Sequence, residues 1–321
     1  MLSRRELFTG SAALALYATL PPPALARAPL AGRQVPGVFR QSVGDMEVTA
    51  LLDGDFTFPP ELFPNAKPEE QQALAERAFT SFPLHSPVNA YAVNTGDKLY
   101  LVDTGTGTFG AAFPGNHLGY LGEALTAAGI ARDNVDAILL THIHPDHFGG
   151  LVREREVLFP KAEIVAAEAD MKFWLSPEIA AQAPESAKFL FDMARAAMPL
   201  YEGRVRQIAP SGPVVPGIEA IALPGHTVGH TGYLIGTGKD RLLIWGDIVH
   251  SAAIQFARPE ATFAGDTDQP QAAASRKRVF DMAAADRIMV AGMHLPFPGF
   301  GYVERDGERY AYHPVFWTAK Y

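Results

Sequence analysis

The chain has 321 residues, 48% of them apolar and 19% charged, a balance that supports a buried core and excludes a chain disordered throughout. Its formal charge is -8 and no Lys/Arg cluster is dense enough to track a row of phosphates, which excludes nucleic acid as an expected partner and favours neutral or cationic small molecules. Cysteine is absent, so disulfides and thiolate metal sites are excluded, and any metal must be held by histidine and carboxylate.

The chain opens with "SRRELFTG", in which Arg4 and Arg5 precede the apolar run "SAALALYATL" and a proline-rich stretch ending in "ALA" at residues 24–26. That order predicts a twin-arginine export signal, residues 1–26, cleaved after Ala26. The apolar run is too short for a retained membrane anchor. Loss of Arg4, Arg5 and Glu6 leaves 25 basic against 34 acidic groups. The expected mature protein is periplasmic or secreted, a single domain over 27–321 with an N-terminal arm to about residue 45.

Along that domain, sheet and helix signals alternate. "MEVTALLDG" (46–54), "VNAYAVNTG" (88–96) and "KLYLVDTG" (98–105) read as strands, with "NTGDK" as a hairpin connection. "YLGEALTAAG" (120–129) has helical spacing and a glycine stop, and "VDAILLTH" (135–142) returns to a buried strand. Residues 168–198 are helix-prone with an aromatic face of Phe173, Trp174, Phe189 and Phe191. "RVRQIA", "IEAIALPG", "TGYLIGTG" and "RLLIWGD" form a second strand series, followed by a helix over 270–285 and a last core strand, "RIMVAGMH" (287–294). Two strand-rich halves, each with helices, predict an α/β protein with helix layers over two packed sheets.

"GTGTFG" (105–110) matches a dinucleotide-binding G-x-G-x-x-G after a strand, with Glu123 18 positions beyond Gly105. No helix opens there, because "FPG" (113–115) interrupts, so the glycines are expected instead to let the loop turn closely beside a site.

The chemistry concentrates in "LLTHIHPDHFGG" (139–150), where His142, His144, Asp146 and His147 occupy six positions. His142 and His144 share a face at a strand end, while Asp146 and His147 come from the turn and the start of the next helix, so the four can converge on a metal. A polar loop that is merely histidine-rich is the bland alternative. Against it, "LPGHTVGH" holds His226 and His230, "LLIWGD" ends in Asp247 and "RIMVAGMH" in His294, and each follows a strand-like apolar run, where α/β architectures collect their sites.

"THIHPDHFGG", "LPGHTVGH", "IWGD", "AGMH" and the Asp-bearing strand "LVDTG" together resemble the ordered metal motifs of the metallo-β-lactamase superfamily. The order of "GDMEVTALLDG", "VNAYAVNTGDKLYLVDTG", "MKFWLSPE", "AAIQF" and "HLPFPGFG" resembles its methyl parathion hydrolase and lactonase branch, from about residue 36 to the C-terminus. The resemblance implies the αββα sandwich and two divalent metal ions, zinc first, with manganese, iron, cobalt or nickel admitted by the same donors. It implies that His142, His144 and His226 hold one ion, Asp146, His147 and His294 the other, and that Asp247 bridges them. Asp103 and His230 are expected behind the ligands, orienting them by hydrogen bonds.

Two such ions lower the pKa of a shared water towards neutrality, so hydrolysis by a metal-bridging hydroxide is expected, with Asp146 or a nearby histidine passing the proton to the leaving group. No G-x-S-x-G elbow and no cysteine supports a covalent nucleophile. Within the resemblance, Leu62 and His250, three residues after Asp247, stand at the expected substrate pocket. His250 can bind an ester oxygen or carry a proton, which tilts the expected substrate to a lactone or aryl ester, with phosphotriester hydrolysis secondary. Phe109, Trp174, Phe191 and Phe263 are the other candidate pocket residues.

The alternatives are a phosphotriesterase as main activity, an iron redox enzyme on the same fold, and a non-enzymatic metal binder. The redox reading would fit a site lacking Asp146 or His147, and both are present. Seven ligands for two metals argue against a closed, non-catalytic site. A homodimer is expected, docked through an arm carrying Phe39 and Phe58 or through the aromatic tail "YAYHPVFWTAKY", the alternative being that each packs on its own core.

Overall fold

Alternation along the strands decides the layering of this protein, which a computed structural model describes over residues 28–319. The expected export signal lies outside the described residues. The chain divides before Pro36, and residues 28–35 carry no helix or strand. In the unit Pro36–Tyr321, seven strands form a first sheet: β1 (Val38–Val43), β2 (Met46–Phe58), β3 (Leu84–Asn94), β4 (Leu99–Val102), β5 (Ala137–Leu139), β8 (Glu163–Ala167) and β9 (Val205–Ile208), in that spatial order. Between β5 and β8 a small separate hairpin joins β6 (Val152–Arg153) to β7 (Glu156–Val157). The second sheet runs β10 (Gly212–Val215), β11 (Ile218–Ala222), β12 (Thr231–Thr237), β13 (Asp240–Ile244), β14 (Met289–Ala291), β15 (Phe300–Asp306) and β16 (Arg309–Pro314). Pairing is parallel across β4, β5, β8 and β9 and between β13 and β14, and antiparallel elsewhere.

Successive strand side chains point to opposite faces. Thus Tyr91 and Val93 of β3, Leu139 of β5 and Val165 of β8 meet Tyr233 and Ile235 of β12 and Leu242 and Ile244 of β13 in the core between the sheets. Their neighbours Ala90, Ala92, Ile138 and Ile164 turn outward under α2 (Leu121–Ala128), α4 (Glu168–Leu175) and α6 (Glu185–Ala197). On the far side, Leu243 and Trp245 pack under Val279, Phe280 and Ala283 of α8 (Gln269–Asp286). Helix, sheet, sheet, helix is the αββα sandwich. A fourth cluster, with α1 (Pro68–Arg77) and α7 (Ala252–Gln255) around it, joins Phe56, Phe58, Phe63, Leu84, Ile254 and Phe263 at one end of the sandwich.

Local chemistry accounts for most boundaries. The helix read over 120–129 stops at Gly129, which takes the left-handed φ of +74° that glycine adopts without strain. The helix-prone 168–198 divides into α4, α5 (Pro177–Gln182) and α6, because Pro177 and Pro184 cannot continue a helix and Ser176 caps the second piece by accepting the Ile179 N–H at 3.2 Å. Asp268 caps α8. Two expected strands are shorter than read: only Ala137–Leu139 and Met289–Ala291 are paired, and the residues beyond turn away to carry His142 and His294. Much of the expected N-terminal arm is strand β1, paired along its length with β2. Phe39 packs on Phe300 at 5.9 Å between ring centroids and Phe58 on Phe263 at 5.3 Å. Each ring finds its apolar partner within its own core.

Candidate metal centre

Metal-binding side chains gather at the ends of four core strands. His142 follows β5, His226 follows β11, Asp247 follows β13 and His294 follows β14. The one-turn helix α3 (Pro145–Phe148) adds Asp146 and His147, with Pro145 at its first position. Asp247 is the hub: its Oδ2 lies 3.8 Å from His142 Nε2, 3.3 Å from His147 Nε2, 3.3 Å from His226 Nε2, 3.3 Å from His250 Nε2 and 3.2 Å from His294 Nε2. Asp146 Oδ2 lies 3.3 Å from His147 Nε2 and 3.5 Å from His294 Nε2. His144 Nδ1 is 3.0 Å from His226 Nε2. Donor atoms thus form one group of His142, His144 and His226, a second of Asp146, His147, Asp247 and His294, and a third of His226, Asp247 and His250.

The outer ring nitrogens are tied down, which leaves the inner ones facing the cluster. His147 Nδ1 donates to Asp103 Oδ2 at 2.7 Å, His294 Nδ1 to the Pro87 carbonyl at 2.8 Å, and His226 Nδ1 to Asp266 Oδ1 at 2.9 Å. Thr141 gives its hydroxyl proton to Asp103 Oδ2 and can therefore accept from His142 Nδ1, 3.0 Å away. His230 is different in kind. Its Nδ1 donates to the Leu223 carbonyl and its Nε2 accepts the Asp247 N–H, both at 2.9 Å, so both nitrogens are used and it orients Asp247 rather than offering a ligand.

Among the described residues, His142 Nε2, His147 Nε2 and Asp247 Oδ1 are buried without a hydrogen-bond partner. Burying that many unpaired donors and acceptors is costly unless something else engages them. Imidazole and carboxylate in this ratio suit divalent cations, so the residues present fit two ions.

Charge reinforces the same arrangement. Burial alone would raise the Asp247 carboxyl, but His147 and His294 outweigh it and hold it well below the usual carboxylate range. Asp146 is likewise lowered by His147 against the effect of burial. Burial would lower His226 and His294, yet neighbouring carboxylates, Asp247 among them, raise them to about 9 and about 10. Burial carries His142 and His144 well below the ordinary imidazole range, His230 to about 3 and His250 to about 4.

Over the cluster lies a cavity of about 870 Å³. Leu62, Trp174, Phe191, Phe263 and His250 line it, as read from the sequence, together with Phe56, Phe58, Phe113 and Phe189, which the sequence reading missed. Phe109 does not line it: its ring packs on Phe148, 5.8 Å away, behind the metal-binding loop. Aromatic spacing alone could not separate Phe109 from Phe113, since the 3-10 turn Gly107–Ala112 decides which ring faces inward. His250 lies flat on Phe263, with centroids 3.8 Å apart and planes 9° apart.

Two buried aspartates also escaped notice. Asp170 accepts from Ile143 N, Thr227 Oγ1 and Gly229 N, tying the His142–His144 loop to the loop bearing His226, and burial raises its carboxyl to about 6. Asp266 holds His226. Neither lies in a motif, and only contacts across the fold reveal them.

An αββα sandwich with a histidine/aspartate cluster for two metals at its strand ends defines a class of metal-dependent hydrolases. The chain belongs to the metallo-β-lactamase superfamily, whose family model matches residues 85–294. It is 30% identical over 191 residues to YobT of Bacillus subtilis (strain 168), described as an uncharacterized protein, covering 58% of this chain and 75% of that one. Among solved structures it resembles a hydrolase of the β-lactamase superfamily, AbOPH, at 32% identity and a TM-score of 0.83, covering 89% of this chain and all of that one. It also resembles AidC, a dizinc quorum-quenching lactonase in complex with a product, N-hexanoyl-L-homoserine, at 26% identity and a TM-score of 0.82, covering 88% of this chain and 99% of that one.

Proposed function

We propose that this protein hydrolyses neutral lactones and aryl esters, with phosphotriester hydrolysis as a side activity. The observation that carries the reading is the cavity: its floor is the ligand cluster, its walls are aromatic, and no lysine or arginine is among its lining residues. Away from the ligand cluster the walls offer an anionic group no lysine or arginine, whereas an uncharged ester with an apolar group would bury it against Phe58, Phe113, Trp174 and Phe263. The likeness to AidC supports a lactone.

Two divalent ions, zinc foremost, would be held by His142, His144, His226, Asp146, His147, His294 and the shared Asp247, and when bound supply an activated water and a Lewis acid. His250, neutral above about pH 4, can donate one ring N–H to an ester oxygen without adding charge. Asp146, whose side chain keeps 12% of its surface exposed towards the cavity, is placed to pass a proton to the leaving oxygen. We further propose export through the twin-arginine leader and action outside the cytoplasm. A phosphotriester as main substrate is the second reading, since the same aromatic walls would accept an uncharged triester.

The test is a panel of initial rates on dihydrocoumarin, an N-acyl homoserine lactone, phenyl acetate and methyl parathion, with metal quantified, beside Asp247→Ala. Lactone or aryl ester leading, and loss of both about two metals and activity in the variant, is the expected result. Methyl parathion leading would select the second reading. No turnover of any of the four by a two-metal protein would reject both.

A further inference from the structure

One carboxylate touches both the ligand cluster and the wall of the cavity. Asp266 is 8% exposed and sits in the turn that connects Phe263 to α8. Its Oδ1 accepts the His226 Nδ1–H at 2.9 Å, and its Oδ2 accepts the backbone N–H of Phe263 at 2.9 Å. Two further backbone bonds clamp the same segments together: Thr267 N–H to the His226 carbonyl at 3.0 Å and Asp268 N–H to the Gly225 carbonyl at 2.8 Å. Gly225 admits this approach because it has no side chain: a Cβ there would lie 2.1 Å from Ala272 N.

We infer that Asp266 is a positioning residue that sets the tautomer of His226 and couples the metal grouped with His142, His144 and His226 to the wall formed by Phe263. Its acceptor oxygen keeps a proton on Nδ1, so that Nε2, facing His144 Nδ1 and Asp247 Oδ2, is the nitrogen a metal would engage. Its second oxygen fixes the backbone of the residue whose ring covers His250. The other well-tied histidines rest on a carboxylate or a strand carbonyl, His147 on Asp103 and His294 on Pro87. Only the His226 tie ends, through the same side chain, on the loop that shapes the substrate space. Asparagine at 266 could still accept the Phe263 N–H, but would turn either an amide donor or a weaker acceptor towards His226. It therefore separates the two roles. This inference rests on the two-metal reading above.

The experiment is zinc retention by the full chain under chelator competition, with the visible spectrum of the cobalt-loaded protein as a second readout, for the parent, D266N, D266E and F263A. In D266N one of two ions should be held roughly 10- to 100-fold less tightly. The other should keep its affinity, and the cobalt bands should change while the melting temperature of the metal-free protein does not. F263A, which keeps the backbone N–H, should hold both ions as the parent does. Should D266N fail to fold, D266E carries the test: its displaced carboxylate should weaken the same single ion by a smaller factor. Parental affinity for both ions in the aspartate variant, equal weakening of both with a lower metal-free melting temperature, or the same loss in F263A would each overturn the inference. A parent that binds no metal would instead overturn the two-metal reading, and the inference with it.

Discussion

Asp247 accepts charge from every side, and the residue facing it with the least settled chemistry is His250. Both ring nitrogens of His250 are buried without a hydrogen-bond partner, one of them 3.3 Å from Asp247 Oδ2, and the ring is stacked on Phe263. A buried, neutral imidazole without partners costs stability unless a substrate uses it. His250→Leu should therefore leave the melting temperature equal or slightly higher. It should lower kcat/KM for lactone and aryl ester roughly tenfold, about 1.4 kcal/mol of transition-state stabilisation, and raise it for methyl parathion. Rates on the two substrate classes in parallel check this, and an unchanged ratio would remove His250 from substrate recognition. Asp103 shows how much strain such a site tolerates: it sits at a left-handed φ of +60° and binds His147 and Thr141 through both carboxylate oxygens.

At the scale of elements, loops carry the ligands, and buried charged side chains brace the loops. Asp53, at the register shift of β2, accepts from Thr106 N, Thr106 Oγ1, Gly119 N and Leu121 N, and so pins the "GTGTFG" segment against the sheet. That segment passes so close to the metal-binding loop that a Cβ on Gly149 would lie 2.1 Å from the Thr106 carbonyl oxygen. The glycines serve backbone contact, and the nucleotide reading has only the 3-10 turn Gly107–Ala112, with no α-helix until Leu121, to rest on. On the other side, Arg276 of α8 is 1% exposed and donates to the carbonyls of Ile248, Pro259 and Ala261, bracing the segments that follow Asp247 and precede Phe263. Arg276→Met keeps most of the volume but strands the buried carbonyls of Ile248 and Pro259, while Ala261 keeps the Gln255 Nε2 donor at 3.0 Å. It should cost roughly 3 to 5 kcal/mol, read as a lower denaturation midpoint in urea at unchanged slope. A loss below about 1 kcal/mol would show that those carbonyls find other partners.

Over the whole molecule the cluster makes stability depend on both pH and metal. His226 and His294, raised to about 9 and about 10 from 6.5, contribute stability that is fully present below 6.5 and is lost as pH rises through those values. His230 and His250, depressed to about 3 and about 4, leave stability untouched above 6.5 and lower it as pH falls from 6.5 towards those values, because there only the unfolded chain takes up their protons. The chelated protein should therefore melt highest near neutrality and lose melting temperature towards pH 10. Loaded protein should stay level on the alkaline side, because cations then replace the protons on His226 and His294. Calorimetric scans of both forms from pH 4 to 10 would show it. A chelated protein indifferent to pH between 6.5 and 10 would contradict the pairing of those imidazoles with their carboxylates.

The strand-end motifs "THIHPDH", "PGH", "WGD" and "GMH" put the candidate donors at the ends of apolar runs, and their resemblance to a family's ordered motifs implied the ligand set. Strand alternation and the glycine and proline stops likewise determined the layers, because the two-residue period of a strand and the turn of a helix are properties of neighbouring residues. What only the tertiary structure decided depends on contacts between distant segments. Asp266 reaches His226 across 40 positions and Asp170 reaches Thr227 across 57, with no motif to announce either. Phe113 rather than Phe109 faces the cavity because a short 3-10 turn rotates the chain between them. The aromatic cavity without lysine or arginine exists only once the two halves of the chain close over one cluster. Short-range periodicity can position a side chain on its own element, but the partner it meets depends on how the elements pack.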